Sequence, residues 1–200
     1  MGSEMCIRDR LLQLMTTDVT LTRNCFATMI PAGDEVVLPE GGIYAVAQSL
    51  GGSVTLRDPN GMYRVGESEL DALGDEIMDL VLQSNPESEK GPFGEEQVWS
   101  AMKGCYDPEI PVNIVDLGLI YDMRITGEKA SHLVEVKMTL TAQGCGMGPV
   151  IAEDAKNRIE KLPEVKEAKV EIIWDPPWNP RMISDAVSYT HLRAHETSLH

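Results

Sequence analysis

One cysteine in this sequence sits where a chain could put sulfur to use. Cys145 lies within Met138 to Pro149, M-T-L-T-A-Q-G-C-G-M-G-P, where an alternating strand pattern stops, three glycines surround the thiol, and a proline opens a helical pattern. A thiol just ahead of a helix N-terminus faces unpaired backbone N–H groups and a partial positive charge. Such a group can serve as a nucleophile, as a ligand to a metal or cluster, or only as part of a loop that fits closely against a partner. Two further segments carry chemistry. Asp107-Pro-Glu109-Ile-Pro111 contains two prolines that forbid a helix and should hold two carboxylates on a stiff, extended stretch. Trp174-Asp-Pro-Pro-Trp178 is a rigid run with two indoles, either a lid over a sheet edge or a docking surface for a partner.

Magnitudes separate the uses of the thiol. A helix terminus contributes about 0.3–1 kcal/mol to a nearby anion, which moves a thiol pKa of about 8.5 by less than one unit. Cys145 would then remain mostly protonated at neutral pH, so a nucleophile needs a base or a cation beside it. Outside the chain ends the only histidine is His132, at the start of the strand that feeds the loop and roughly 25 Å back along it. Acids approaching the thiol would raise its pKa, which harms a nucleophile, whereas a metal ion deprotonates the thiol and is itself favoured by carboxylates. The balance favours contact with a metal or cluster over thiol catalysis. A cluster usually takes four protein ligands, so one thiol implies a site shared with a client or across a homodimer, and a transient contact.

The elements that must position these groups follow from pattern. Short apolar runs punctuated by turn signals extend over Val19–Ile30, Val36–Leu38, Ile43–Leu50, Val54–Arg57 and Met62–Val65. This spacing predicts a small antiparallel sheet or partial barrel. Cys25, inside the first run, reads as a buried hydrophobe. A short helical stretch at 67–73 and an apolar patch at 77–82 follow. Residues 83–94, QSNPESEKGPFG, have linker composition. In Glu95–Cys105, Val98, Ala101, Met102 and Cys105 make one helical stripe, which gives Cys105 a core explanation. Ile114–Arg124 reads as a turn feeding a strand. Val134, Val136, Met138 and Leu140 then alternate with polar residues, Ile151, Ala155, Ile159 and Leu162 form a helical stripe, and Val165–Trp174 alternates again. The fold class is therefore α+β: a C-terminal α-β-β-α-β sandwich domain over residues 95–186, preceded by a small antiparallel β-rich domain over 16–82, with 83–94 as linker.

Composition narrows the partners. The net charge of −15 falls within residues 11–186 because the two ends are charge-balanced; such a surface repels phosphate backbones and anionic membranes, so no nucleic acid and no membrane is expected. No apolar run reaches the roughly 18 residues that span a bilayer, and the sparse cysteines lack a C-x-x-C pair, so a cytoplasmic protein without a disulfide framework is expected. Residues 1–10 and 187–200 fit neither flanking pattern and resemble translated sequencing-adapter read-through. They hold Cys6 and three histidines, His191, His195 and His200, which are set aside as ligands for that reason.

Taken together, D-P-E-I-P-V-N-I-V-D-L-G-L-I-Y-D at Asp107–Asp122, T-L-T-A-x-G-C at Thr139–Cys145, G-P-x-I at Gly148–Ile151 and W-D-P-P-W at Trp174–Trp178 followed by Met182-Ile-Ser resemble the SufT-like iron-sulfur cluster assembly family. That family also includes PaaD-type subunits and cytosolic iron-sulfur targeting subunits. The resemblance covers residues 94–186, and the β-rich unit before it is similar to the N-terminal extension of SufT proteins. It implies an accessory, non-enzymatic role in maturing iron-sulfur proteins, with iron or a cluster bound transiently, and with assembly machinery and client apo-proteins as partners. By position it implies Cys145 as the functional thiol, Asp107 and Glu109 beside it, and Thr139 and Thr141 as loop supports. Where that family commonly has prolines around the loop cysteine, this chain has Gln143 and Gly146. The rival readings are a metal-free adaptor that docks clients through Trp174 and Trp178, and a thiol enzyme.

Overall fold

A computed structural model of the chain describes residues 18–84, 93–108, 110–128, 131–184 and 187. The chain divides into two compact units, residues 1–86 and 87–200.

In the first unit, six strands run β1 Asp18–Thr20, β2 Cys25–Ile30, β3 Glu35–Leu38, β4 Ile43–Leu50, β5 Ser53–Asp58 and β6 Gly61–Val65. They form one antiparallel sheet in the order β1-β4-β5-β6-β2-β3. Turn chemistry punctuates it as the sequence predicts. In the β5–β6 turn, Asp58 accepts from the backbone N–H of Asn60 (2.8 Å) and Gly61 (3.0 Å). The single run expected over Val19–Ile30 is corrected to two strands, β1 and β2. No glycine or proline marks the break at Leu21–Asn24; tertiary contacts make it. The Thr22 N–H donates to the Ala72 carbonyl (2.9 Å), and the Arg23 guanidinium pairs with Glu69 (2.8 Å) and Asp71 in the 3-10 helix Glu67–Leu73. That helix and α1 (Asp75–Ser84) close a core containing Cys25, Val54, Leu56, Val65 and Leu70. Cys25 is fully buried, as its place in an apolar run predicts.

The second unit runs α2 Glu95–Lys103, β7 Ile120–Thr126, β8 His132–Met138, α3 Gly148–Glu160 and β9 Val165–Ile172, ending in a short 3-10 turn at Pro180–Met182. Gln97 reaches back to the Gly94 N–H (3.1 Å) to close the start of α2, a half capping box because glycine has no side chain to return the bond. β7 and β8 pair antiparallel and β8 and β9 parallel, so β8 is central. The parallel pair is possible because α3 is the crossover between its strands. Val134, Val136, Met138 and Ala168 are buried on one sheet face, and Val98, Met102, Ile151, Ala155 and Ile159 are buried along the helices. A fully buried side chain such as Ile159 contributes about 1.5–3 kcal/mol.

Candidate functional site

The loop that carries Cys145 is clamped at both ends and open in the middle. Leu140 and Met147 are buried on either side of it, and Met147 also accepts from the Ile151 N–H (2.9 Å), which starts the α3 ladder. Gly148 has no room for a side chain, because a Cβ there would meet Leu140 Cδ1 at 2.5 Å. Helix α3 therefore begins hard against the strand end. Gly144 adopts φ +83 with open space around it, the left-handed backbone that glycine accepts without strain. Between these anchors Ala142, Gln143 and Gly144 are exposed and Cys145 is partly exposed. The Cys145 carbonyl accepts from the Gly148 N–H (3.1 Å). Pro149 occupies the first turn of α3, where a missing N–H costs nothing.

Thr139 is fully buried at the end of β8. Its N–H donates to the Leu119 carbonyl (2.8 Å), tying the loop's entry to the segment before β7. Its hydroxyl oxygen has no hydrogen-bond partner among the described residues. Thr139 is thus tied through its backbone, while its hydroxyl is a buried polar group without a partner among the described residues. Thr141 is partly exposed at the start of the loop.

The Asp107 segment is corrected from an extended stretch to a reversal. The Asp107 carboxylate accepts from the Ile110 N–H (3.0 Å) and its own N–H donates to the Val112 carbonyl (3.2 Å), while Tyr106 bridges to Asn113. An aspartate that satisfies the N–H three residues on closes a turn, and the two prolines stiffen that turn rather than extend it. Asp107 is buried, with 6% of its surface exposed. Glu109 lies outside the described residues. Cys105, two residues before Asp107, is fully buried and its thiol meets the Ile151 carbonyl in the first turn of α3 (3.7 Å), which confirms its core role and packs the end of α2 against the start of α3. Nearby, burial pushes the Tyr106 hydroxyl up from its usual pKa, with the charge of Asp116 adding to the effect.

A second capped turn, missed at the level of sequence, follows. The Asn113 side chain accepts from the N–H groups of Val115 (3.1 Å) and Asp116 (2.9 Å) and donates to the Asp116 carboxylate (2.7 Å). The Asn-x-x-Asp spacing was its signal. The C-terminal segment folds over this turn. The Trp178 indole N–H donates to the Leu117 carbonyl (2.8 Å), the Tyr121 hydroxyl to the Pro176 carbonyl (2.8 Å), and the Ser184 N–H to the Asp116 carbonyl (2.8 Å). Trp178 is therefore pinned and partly buried, whereas Trp174 leaves 39% of its surface exposed.

His132 stands at the opposite end of β8 from the loop, paired in register with Val165 while Met138 pairs with Ile172. Its ring stacks on Phe93 (centroids 4.7 Å apart) and lies 3.8 Å from the Glu164 carboxylate. That position withholds it from Cys145, as strand length predicts. Among the described residues no group of three or more His, Cys, Asp or Glu side chains could hold a metal ion.

A family profile described as "Iron-sulfur cluster assembly protein" matches residues 95–172, from the start of α2 to the end of β9. The Fe-S protein maturation auxiliary factor YitW of Bacillus subtilis is 41% identical over 83 residues, which cover 42% of this chain and 78% of that one. The chain belongs to the SufT-like iron-sulfur cluster assembly family. Two more members have similar likeness. An Fe-S protein maturation auxiliary factor of Porphyromonas gingivalis is 41% identical over 91 residues, 46% of this chain and 84% of that one. The Fe-S protein maturation auxiliary factor SufT of Staphylococcus aureus is 41% identical over 78 residues, 39% of this chain and 85% of that one. In this member of the family the shared region holds the Gly-Cys loop, the Asp107 turn and both helices of the second unit.

Proposed function

We propose that this chain is a non-catalytic auxiliary factor in the maturation of iron-sulfur proteins, acting in the cytoplasm and contacting iron or a cluster transiently through Cys145. The observation that carries this reading is the state of the three described cysteines: Cys25 and Cys105 are buried, whereas Cys145 is partly exposed on the glycine loop and its thiol has no hydrogen-bond partner among the described residues. A soft ligand held on a glycine-rich loop can grip a cluster edge without enclosing it. The rest of the ligand set then comes from the assembly machinery, a client apo-protein or a second copy. Asp107 and Glu109 are proposed as the nearby acids, Thr139 and Thr141 as supports of the loop.

Anaerobic reconstitution with iron and sulfide tests it, wild type against Cys145→Ala, followed by transfer to an apo-client. The wild type should develop visible cluster absorbance and pass it on, and the variant should do neither. Equal absorbance in both, or client maturation that ignores the substitution, sinks the reading. The exposure of Trp174 supports a second one, a metal-free adaptor that docks clients through the Trp174–Trp178 surface. It requires Cys145→Ser to retain full maturation activity while Trp174→Ala loses it.

A further inference from the structure

The first unit presents an open strand edge with an apolar pair on its outer face. β3 ends the sheet order, so one side of it is unpaired among the described residues. In the β2–β3 hairpin the Met29 N–H donates to the Asp34 carbonyl (2.8 Å). Antiparallel ladders alternate hydrogen-bonded and non-bonded pairs, and the register is Thr28↔Glu35, Ala27↔Val36, Phe26↔Val37, Cys25↔Leu38. Counting from the Met29 bond, the backbone groups of Val36 and Leu38 face β2, and those of Glu35 and Val37 face outward. The Phe26 N–H fits this count, since it turns away from β3 to the Glu69 carboxylate (3.1 Å). Phe26 and Val37 form a non-bonded pair, the kind that brings side chains closest, and they are 62% and 54% exposed. Native edges are usually blunted by charge or proline; here Glu35 and Pro39 flank the pair, leaving one short open register at Val37.

Charge identifies what fits. Residues 18–84 carry eleven carboxylates against three arginines and no lysine. One of those arginines, Arg23, is already paired with Glu69 and Asp71. Asp34 and Glu40 lie just beyond the two ends of β3, and Glu35 is its first residue, on the face of Val37. We infer that the β3 edge is a strand-addition site for an extended segment of another polypeptide in which apolar and basic residues alternate. The apolar side chains would lie on the face of Val37 and Phe26, the basic ones would alternate to the opposite face and reach the acids beyond the strand's two ends, Asp34 and Glu40, and the main chain would pair with Glu35 and Val37. A second copy of this chain is a poor occupant, because it would bring the same acids to the same edge.

The test titrates the full chain with a fluorescein-labelled decapeptide alternating lysine and valine, with a glutamate–valine decapeptide as control. The basic peptide should bind and the acidic one should not. Val37→Pro removes the outward N–H and leaves both charge and the β2 pairing in place, so it should weaken binding at least tenfold with the melting curve unchanged. Should that variant misfold, Phe26→Ser removes the apolar contact instead and should weaken binding several-fold. A lysine–valine peptide N-methylated along one edge should also bind at least tenfold more weakly. Undiminished binding by Val37→Pro or by the N-methylated peptide would reduce the effect to unspecific attraction and overturn the proposal. Sedimentation showing a dimer that Val37→Pro dissolves would overturn it in favour of self-association.

Discussion

A buried hydroxyl and two buried thiols make the sharpest residue-level predictions. Thr139 Oγ1 is enclosed without a partner, which costs about 1–3 kcal/mol of desolvation. Thr139→Val keeps the branched shape and removes that cost, so it should raise the urea midpoint. If the hydroxyl serves the loop in its work with iron or cluster, the same variant will be more stable yet slower in client maturation. A variant that is both less stable and fully active would assign Thr139 to structure alone. Among the thiols, burial and then the charge of Glu69 push Cys25 up to about 11. The folded value lies above the unfolded one, so the stabilisation is present below about pH 8.5 and is lost as pH rises through about 11. Iodoacetamide at pH 8 followed by peptide mapping should therefore modify Cys145 and spare Cys25 and Cys105. Modification of Cys25 at the same rate would contradict the burial of its strand.

At the scale of elements, the outer face of the second sheet is a charge ladder. Its register places Arg124, Glu135 and Lys169 in one row and Asp122, Lys137 and Glu171 in the next, so every neighbour across the strands has the opposite sign. Such pairs contribute roughly 0.2–1 kcal/mol each. Lys137→Glu should set three carboxylates in one row and cost about 1 kcal/mol by urea unfolding, a loss that shrinks in 1 M salt as screening grows. A loss unaffected by salt would mean that packing, not charge, holds the row. The C-terminal segment makes a second element-level case. Gly118 has φ +68, and a Cβ there would fall on the Met182 carbonyl. Gly118→Ala should cost about 1–3 kcal/mol and free the Trp178 indole, seen as a shift in tryptophan emission. Both features explain what was legible in the sequence. The alternation of Val134, Val136 and Met138 gives the buried face, and Gly-Pro punctuation gives β3 to β6. The break at Leu21–Asn24 was not legible, because bonds from Thr22 and Arg23 to residues nearly 50 positions away create it. The pinning of Trp178 to Leu117, 61 positions away, was hidden for the same reason. At the site, the type and loop of Cys145 could be read directly, whereas the turn at Asp107 depended on a side-chain bond that proline counting does not anticipate.

At the scale of the whole molecule, the family region lies within the second unit and the β-rich unit lies outside it. Each unit closes a core of its own: Leu56 and Val65 are buried in the first, Met138 and Ile159 in the second. Relatives that this chain covers to 78% or more align with it over 83 or 78 residues, fewer than the second unit holds. A core that suffices for those chains should suffice here, since most of its burial is between α2, α3 and the three strands. Leu56→Ala removes fully buried volume from the first core and should cost about 2–5 kcal/mol there. If the cores are energetically separate, urea unfolding of this variant will show one early transition with loss of the six-stranded sheet signal, while a later one stays at the wild-type midpoint. Ile159→Ala should do the reverse. A single transition that moves as a whole with either substitution would mean that the two cores unfold as one cooperative unit. Separate transitions would let the first unit be altered, at Phe26 or Val37 for example, without disturbing the loop that carries Cys145.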